Sequence, residues 1–151
     1  MRTATRRHFL TAGLGAAALV ATAPPGEAAD PTPAEQANIK LVTDFCAVWS
    51  TRDVTRALPF LADDCVYRMT ERTPPVSGHD GVTARLKPAL DDASLVEFRI
   101  LDVKASGPIV ITHRIDRFMT SRPFTWEGVG VFFVKDGRIK EWTDYTIRTE
   151  R

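Results

Sequence analysis

One arginine and two aspartates are the side chains of this sequence best suited to chemistry. Arg114 and Asp116 lie two residues apart in a run that alternates apolar and polar residues, so we expect a strand with both side chains on one face. A charged pair among apolar neighbours is costly to bury unless its charges are satisfied or used. Asp144, in the last strand-like run, can supply a second carboxylate to the same arginine.

Two aspartates that share an arginine can divide the roles of acid and base. Opening of a strained ring by water needs an acid that protonates the departing oxygen and a base that takes a proton from the water. Burial raises the pKa of a carboxyl group and a neighbouring arginine lowers it, so one shared proton can stay on the more buried member. We assign Asp116 as the acid, Asp144 as the base and Arg114 as the group that orients both. A purely structural ion pair within the sheet is the alternative.

Aromatic and thioether side chains near these charges indicate an apolar pocket. Tyr67 could hold the attacking water through its phenol hydroxyl, although a half-buried core tyrosine would give the same pattern. The other candidates for the pocket wall could equally be ordinary core residues; they are Met69, Phe118, Trp126, Phe132 and Trp142.

Composition excludes several classes of function. The chain has 151 residues, which favours one domain, and its formal net charge of +1 without a long basic run predicts no nucleic-acid interface. Its two cysteines and three histidines lack the spacing of a zinc or haem site. Cys46 and Cys65 could pair after export or remain two buried thiols.

The first 29 residues are predicted to be a signal peptide of the twin-arginine type. Arg6-Arg7 precede Phe-Leu, a mildly apolar run continues to Ala23, and Ala28-Ala29 supply a small-residue cleavage context. The apolar run is too short for a permanent membrane-spanning helix. We therefore expect one domain over residues 30–151, exported to the periplasm or the exterior, with no stable membrane anchor after cleavage.

The order of helices and strands predicts an α+β fold. A capping box at Thr32 begins one helix, Asp53 caps a short one that carries Leu58 and Leu61, and His79 or Asp80 opens a third. Strand-like runs cover residues 65–70, 95–103, 109–120, 124–134 and 138–149. We expect a strongly curved, mixed or antiparallel sheet packed against the N-terminal helices, forming a cone that encloses one apolar pocket.

Three motifs resemble those of the limonene-1,2-epoxide hydrolase family. They are Val66-Tyr67-Arg68-Met69, His113-Arg114-Ile115-Asp116 and Glu141-Trp142-Thr143-Asp144-Tyr145, in this order and spacing. That family belongs to the NTF2-like and SnoaL-like cones, so the resemblance implies this fold for nearly all of residues 30–151. It also implies a homodimer and a single push–pull step without metal or cofactor. In that step Asp116 is the acid, Asp144 the base, Arg114 the bridge and Tyr67 a holder of the water.

One position departs from the family pattern. The family has an asparagine two residues after the tyrosine, where this chain has Met69, and a thioether cannot donate a hydrogen bond to the water. Thr70 or Thr112 could replace that contact, or two groups alone could hold the water. Three functions therefore remain open: an exported hydrolase of apolar epoxides, a SnoaL-like cyclase or isomerase, and a non-catalytic binder of an apolar small molecule.

Overall fold

The computed structural model of this protein describes residues 30–150, so the predicted signal peptide lies outside the described part. Helix α1 spans Pro33–Val48 and helix α2 spans Gly78–Asp92. The strands are β1 (Leu61–Arg68), β2 (Val76–Ser77), β3 (Val96–Ser106), β4 (Ile109–Phe118), β5 (Phe124–Lys135) and β6 (Arg138–Glu150). No helix in this part of the chain is long and apolar enough to cross a membrane.

The strands form one curved, mixed sheet in the order β2-β1-β6-β5-β4-β3. Strands β3 to β6 pair with their neighbours in antiparallel fashion, whereas β1 runs parallel to β6. Asp136 and Gly137 both have positive φ angles, 52° and 71°, which is the conformation of a two-residue hairpin turn between β5 and β6. The predicted α+β class and mixed sheet are confirmed.

The two helices cover the inner face of the sheet and exclude water from it. Phe45 of α1 packs edge-on against Phe132 of β5 and Trp142 of β6, with ring centroids 6.1 and 5.1 Å apart. Val82 and Leu90 form part of the buried side of α2, as its helical spacing predicted. Charged groups on this inner face are therefore held in an apolar layer.

Local differences from the predicted elements have simple causes. The short helix predicted to carry Leu58 and Leu61 is wrong: two 3-10 turns, Val54–Arg56 and Leu58–Phe60, stand there, and Leu61 begins β1. Pro59 lacks the amide hydrogen that a continuous helix would need. Helix α2 begins at Gly78, before the predicted start.

The cysteines and other possible metal ligands form no cluster in the described structure. Cys46 and Cys65 are both free thiols and both buried. Burial raises the pKa of Cys46 to about 12, so this thiol stays protonated at neutral pH. Among residues 30–150, no three His, Cys, Asp or Glu side chains are grouped to hold a metal ion.

The capping box at the start of α1 leads to a stability prediction. Glu35 N donates to Thr32 Oγ1 at 3.3 Å, and Thr32 N donates to Glu35 Oε2 at 2.8 Å. We expect Thr32→Ala to lower the free energy of unfolding by about 1 kcal/mol, because the first turn loses an acceptor. Urea denaturation measures the change. Thr43→Ala, exposed in the middle of α1, is the control, and an equal loss in both variants would contradict a specific role of the cap.

Candidate active site

Alternation along β4 places a row of polar side chains on the inner face of the sheet. Thr112, Arg114 and Asp116 are buried at alternate positions of this strand. His113 lies on the outer face instead, where its Nε2 is 3.0 Å from Glu127 Oε1. The predicted common face of Arg114 and Asp116 is confirmed.

Arg114 is fully buried and joins the two aspartates through its guanidinium group. Its Nε donates to both carboxylate oxygens of Asp116 at 3.0 Å, and its Nη2 donates to Asp144 Oδ1 at 2.8 Å. Its Nη1 donates to Thr112 Oγ1 at 3.2 Å. Both aspartates are 4% exposed. The structure therefore unites the three residues that the sequence singled out in one hydrogen-bonded network.

Aromatic rings take the place of water around this guanidinium. Arg114 Cζ lies 4.9 Å from the ring centre of Trp126 and 5.2 Å from that of Phe98. The rings of Phe132 and Trp142 are each 5.9 Å away. The negative faces of aromatic rings attract a cation, and this attraction offsets part of the cost of burying it.

A glycine on β5 provides the space that the guanidinium occupies. The strand register places Gly130 between Thr112 on β4 and Asp144 on β6. A Cβ atom at Gly130 would lie 2.0 Å from Arg114 Nη1 and 2.9 Å from Thr112 Oγ1. Any residue other than glycine at position 130 is therefore incompatible with this position of the Arg114 guanidinium. A glycine inside a strand pattern is the one sequence signal that could have indicated such a close approach.

Trp142 fixes the orientation of the second carboxylate. Its Nε1 donates to Asp144 Oδ1 at 2.8 Å, so this oxygen accepts hydrogen bonds from both Trp142 and Arg114. Asp144 Oδ2 accepts no hydrogen bond from the residues that the structure describes. The carboxylate lines a cavity, and Oδ2 is therefore available to take a proton there.

Burial and neighbouring charges shift the pKa values of both carboxyl groups. Burial raises the pKa of Asp116 to about 7, against the lowering effect of Arg114 and with a further increase from the charge of Asp144. Burial also raises the pKa of Asp144, while Arg114 and the Trp142 hydrogen bond lower it. Burial therefore favours the protonated form of both carboxyl groups, and with a pKa of about 7 Asp116 can carry a proton near neutral pH. Burial would lower the pKa of Arg114, but the two carboxylates outweigh it, so Arg114 stays charged.

A cavity of about 520 Å³ opens onto the two carboxylates and is mostly apolar. Most of the predicted pocket wall is present: Met69, Phe118, Trp126 and Trp142 line it, as does Tyr67. Phe132 does not line it and is fully buried in the core beside Arg114. Sequence reasoning did not assign the remaining wall residues to the pocket; they are Thr70, Leu86, Ala89, Phe98, Arg122, Phe124 and Thr149.

The possible holders of a water molecule differ in their availability. Tyr67 stacks on Trp142 with ring centroids 4.0 Å apart, and its hydroxyl has no hydrogen-bond partner within residues 30–150. Burial and the nearby Asp144 raise the pKa of Tyr67 well above its ordinary value, so the phenol stays protonated. Thr112 already accepts from Arg114 and does not line the cavity, whereas Thr70 does.

This chain matches a known family of domains in sequence and an epoxide hydrolase of known structure in fold. A family model described as a SnoaL-like domain matches residues 42–142. A Mycobacterium tuberculosis LEH-like epoxide hydrolase has 27% sequence identity and a TM-score of 0.67, over 76% of this chain and 85% of that one.

Two further solved structures share the fold at lower identity. A protein assigned as a SnoaL-like polyketide cyclase, from Jannaschia sp. CCS1, has 18% identity and a TM-score of 0.66, over 79% of this chain and 91% of that one. A second protein, assigned as a polyketide cyclase from Xanthomonas campestris pv. campestris, has 21% identity and a TM-score of 0.64. The match covers 74% of this chain and 90% of that one. With the family model covering most of the described residues, the chain belongs to the SnoaL-like family, within the NTF2-like fold.

Proposed function

We propose that this chain is an epoxide hydrolase that adds water to an apolar epoxide in one step. The observation that carries the proposal is the buried Arg114 guanidinium, which binds Asp116 and Asp144 at once beside an apolar cavity. The similarity to an LEH-like epoxide hydrolase supports it. The proposed chemistry needs one proton donor and one proton acceptor on the same substrate, and the two aspartates supply them.

The proposed step moves two protons while one bond breaks and one forms. Asp144 Oδ2 takes a proton from a water molecule whose oxygen attacks a carbon of the epoxide ring. The carbon–oxygen bond of the ring breaks, and Asp116 gives its proton to the departing oxygen. The product is a diol, Asp116 is left ionised and Asp144 is left protonated. Proton exchange through the solvent then restores the starting state, while Arg114 balances the charge throughout.

The attacking water is proposed to lie between Asp144 and the Tyr67 hydroxyl. Tyr67 lines the cavity, its hydroxyl has no partner within residues 30–150, and its ring stacks on Trp142, which donates to Asp144. Thr70 is the hydroxyl that replaces the family asparagine in this proposal, since Thr112 is occupied. Met69 contributes an apolar wall at that position.

The raised pKa of Asp116 predicts how activity depends on pH. Asp116 acts only in its protonated form and has a pKa of about 7, so kcat/KM should fall about tenfold per pH unit well above that value. At low pH the rate should fall as well, because Asp144 must be ionised to act as base. A pH series on an uncharged epoxide measures both limbs. A rate that stays constant from neutral pH to strongly alkaline pH would contradict the assignment of Asp116.

The second candidate function is that of a cyclase or isomerase of the SnoaL-like family, and Met69 favours it. A methionine beside Tyr67 makes the cavity drier than an asparagine would, which disfavours water as the nucleophile. An internal nucleophile could then open the epoxide, or Asp144 could move a proton next to a carbonyl group. A non-catalytic binder of an apolar small molecule would use the same cavity without turnover.

Turnover in oxygen-18 water separates these functions. The domain from residue 30 to residue 151 is incubated with a panel of apolar epoxides, and the products are analysed by mass spectrometry. We expect a diol that carries one labelled oxygen. A product without label would support the cyclase or isomerase, and saturable binding without any product would support the binder.

Two further proposals concern assembly and location. We propose that two copies pair through the outer face of the sheet, where Ile109, Ile111 and Tyr145 are 41, 44 and 49% exposed. Sedimentation should give a dimer, and Ile111→Glu should give a monomer.

We also propose export by the twin-arginine pathway, so replacement of Arg6 and Arg7 by lysines should keep the protein in the cytoplasm.

A further inference from the structure

The wall of the active-site cavity contains one basic side chain that the proposed reaction does not use. Arg122 is exposed in the turn between β4 and β5 and lines the cavity together with Phe118 and Phe124. The other arginine of the site, Arg114, is fully buried beneath the carboxylates and bound to both of them. Among the described residues that line the cavity, Arg122 is thus the one with a basic side chain that a ligand can reach.

The Arg122 side chain has no partner within residues 30–150, although its backbone is fixed. No carboxylate within residues 30–150 forms an ion pair with Arg122. Thr120 Oγ1 accepts from Arg122 N at 3.2 Å and donates to Arg122 O at 2.8 Å. Ser121 N and Oγ donate to Asp92 Oδ2 at 2.9 and 2.7 Å, which ties the turn to the end of α2. The turn therefore holds the backbone of Arg122 at the cavity, while its guanidinium forms no ion pair within residues 30–150.

The strand register limits how far the backbone of Arg122 can lie from the position opposite Asp116. Trp126 pairs directly with Asp116, and Arg122 precedes Trp126 by four residues. Four residues of extended chain span at most about 14 Å. The backbone positions of Arg122 and Trp126 are therefore at most about 14 Å apart, and both Arg122 and Asp116 line the same cavity.

We propose that the substrate is amphipathic: an apolar molecule whose epoxide meets Asp116 and whose far end carries a carboxylate that pairs with Arg122. This inference rests on the proposed function and deepens it by naming the substrate class. The apolar wall binds the hydrocarbon part, and Arg122 binds the anion through charge-assisted hydrogen bonds. Thr149, on the same wall, can donate a further hydrogen bond to the carboxylate.

Equilibrium binding tests the anion site without depending on hydrolysis. The probes are a straight-chain alkyl carboxylate and the primary amide of the same chain, and quenching of the cavity residues Trp126 and Trp142 reports occupancy. A partly exposed ion pair should give the carboxylate an advantage of about fivefold in Kd, decreasing with added salt. Arg122→Gln should remove the advantage, and Arg122→Lys should retain part of it.

The control is Arg117→Gln, which removes the same charge from the outer face of β4. Equal Kd values for carboxylate and amide in the wild type, or an advantage that persists in Arg122→Gln, would overturn the inference.

Hydrolysis is then measured on epoxides with and without a terminal carboxylate. In those with a carboxylate, spacers of different length separate it from the epoxide. Failure to hydrolyse any of them would refute the proposed function, whereas hydrolysis with no preference for the carboxylate would refute only the substrate class.

Discussion

Replacing Asp144 by asparagine should reduce diol formation by about 10³-fold, because the variant has no base to take the proton from water. Asparagine has the same shape, and its Oδ1 can still accept from Arg114 Nη2 and Trp142 Nε1, as the aspartate does at 2.8 Å in both cases. The amide nitrogen then faces the cavity in place of Oδ2. The measurement is kcat for labelled diol in oxygen-18 water.

The matched control is Asp63→Asn, which changes a carboxylate whose side chain is 88% exposed on β1. Its kcat should equal that of the wild type. Circular dichroism and binding of the alkyl amide probe show whether the Asp144 variant keeps its fold and its cavity. A folded Asp144→Asn protein that forms labelled diol at the wild-type rate would rule out Asp144 as the base.

The part of this site that could be predicted from the sequence depends on alternation within single strands. Arg114 and Asp116 share a face because strand side chains repeat every two residues, and the structure confirms this. The α+β class followed from helices that precede a run of strands. The connection to Asp144 was proposed from its residue type and supported by the resemblance, because no local pattern could establish a contact across 30 residues.

The remaining features depend on pairing between distant segments, which local patterns do not specify. Gly130 lies opposite Thr112 and Asp144 only because β5 pairs with β4 and β6 in one particular register. Phe132 points to the same face as the pocket residues, yet it lies in the core because α1 packs Phe45 onto it. Arg122 reaches the cavity because its turn is attached to α2, a contact between segments far apart in the chain.

Gly130→Ala should be strongly damaging, although the glycine has no chemistry of its own. The new Cβ would lie 2.0 Å from Arg114 Nη1, so the fully buried guanidinium must move among the aromatic rings that surround it. We expect a loss of about 3 kcal/mol in the free energy of unfolding, at the upper end for overpacking. We also expect kcat to fall about 100-fold, because Arg114 can no longer hold both aspartates in place.

Urea denaturation and oxygen-18 turnover measure the two effects, with Gly81→Ala as the control. Gly81 lies in α2, where a Cβ would meet Val76 Cβ at 3.1 Å and alanine favours the helix by about 1 kcal/mol. This control should stay within about 1 kcal/mol of the wild type and keep its kcat, because the small clash and the helix preference oppose each other. If Gly130→Ala instead kept both its stability and its kcat, the position of Arg114 would be adjustable without cost. The bridge between Asp116 and Asp144 would then not be required for the proposed catalysis.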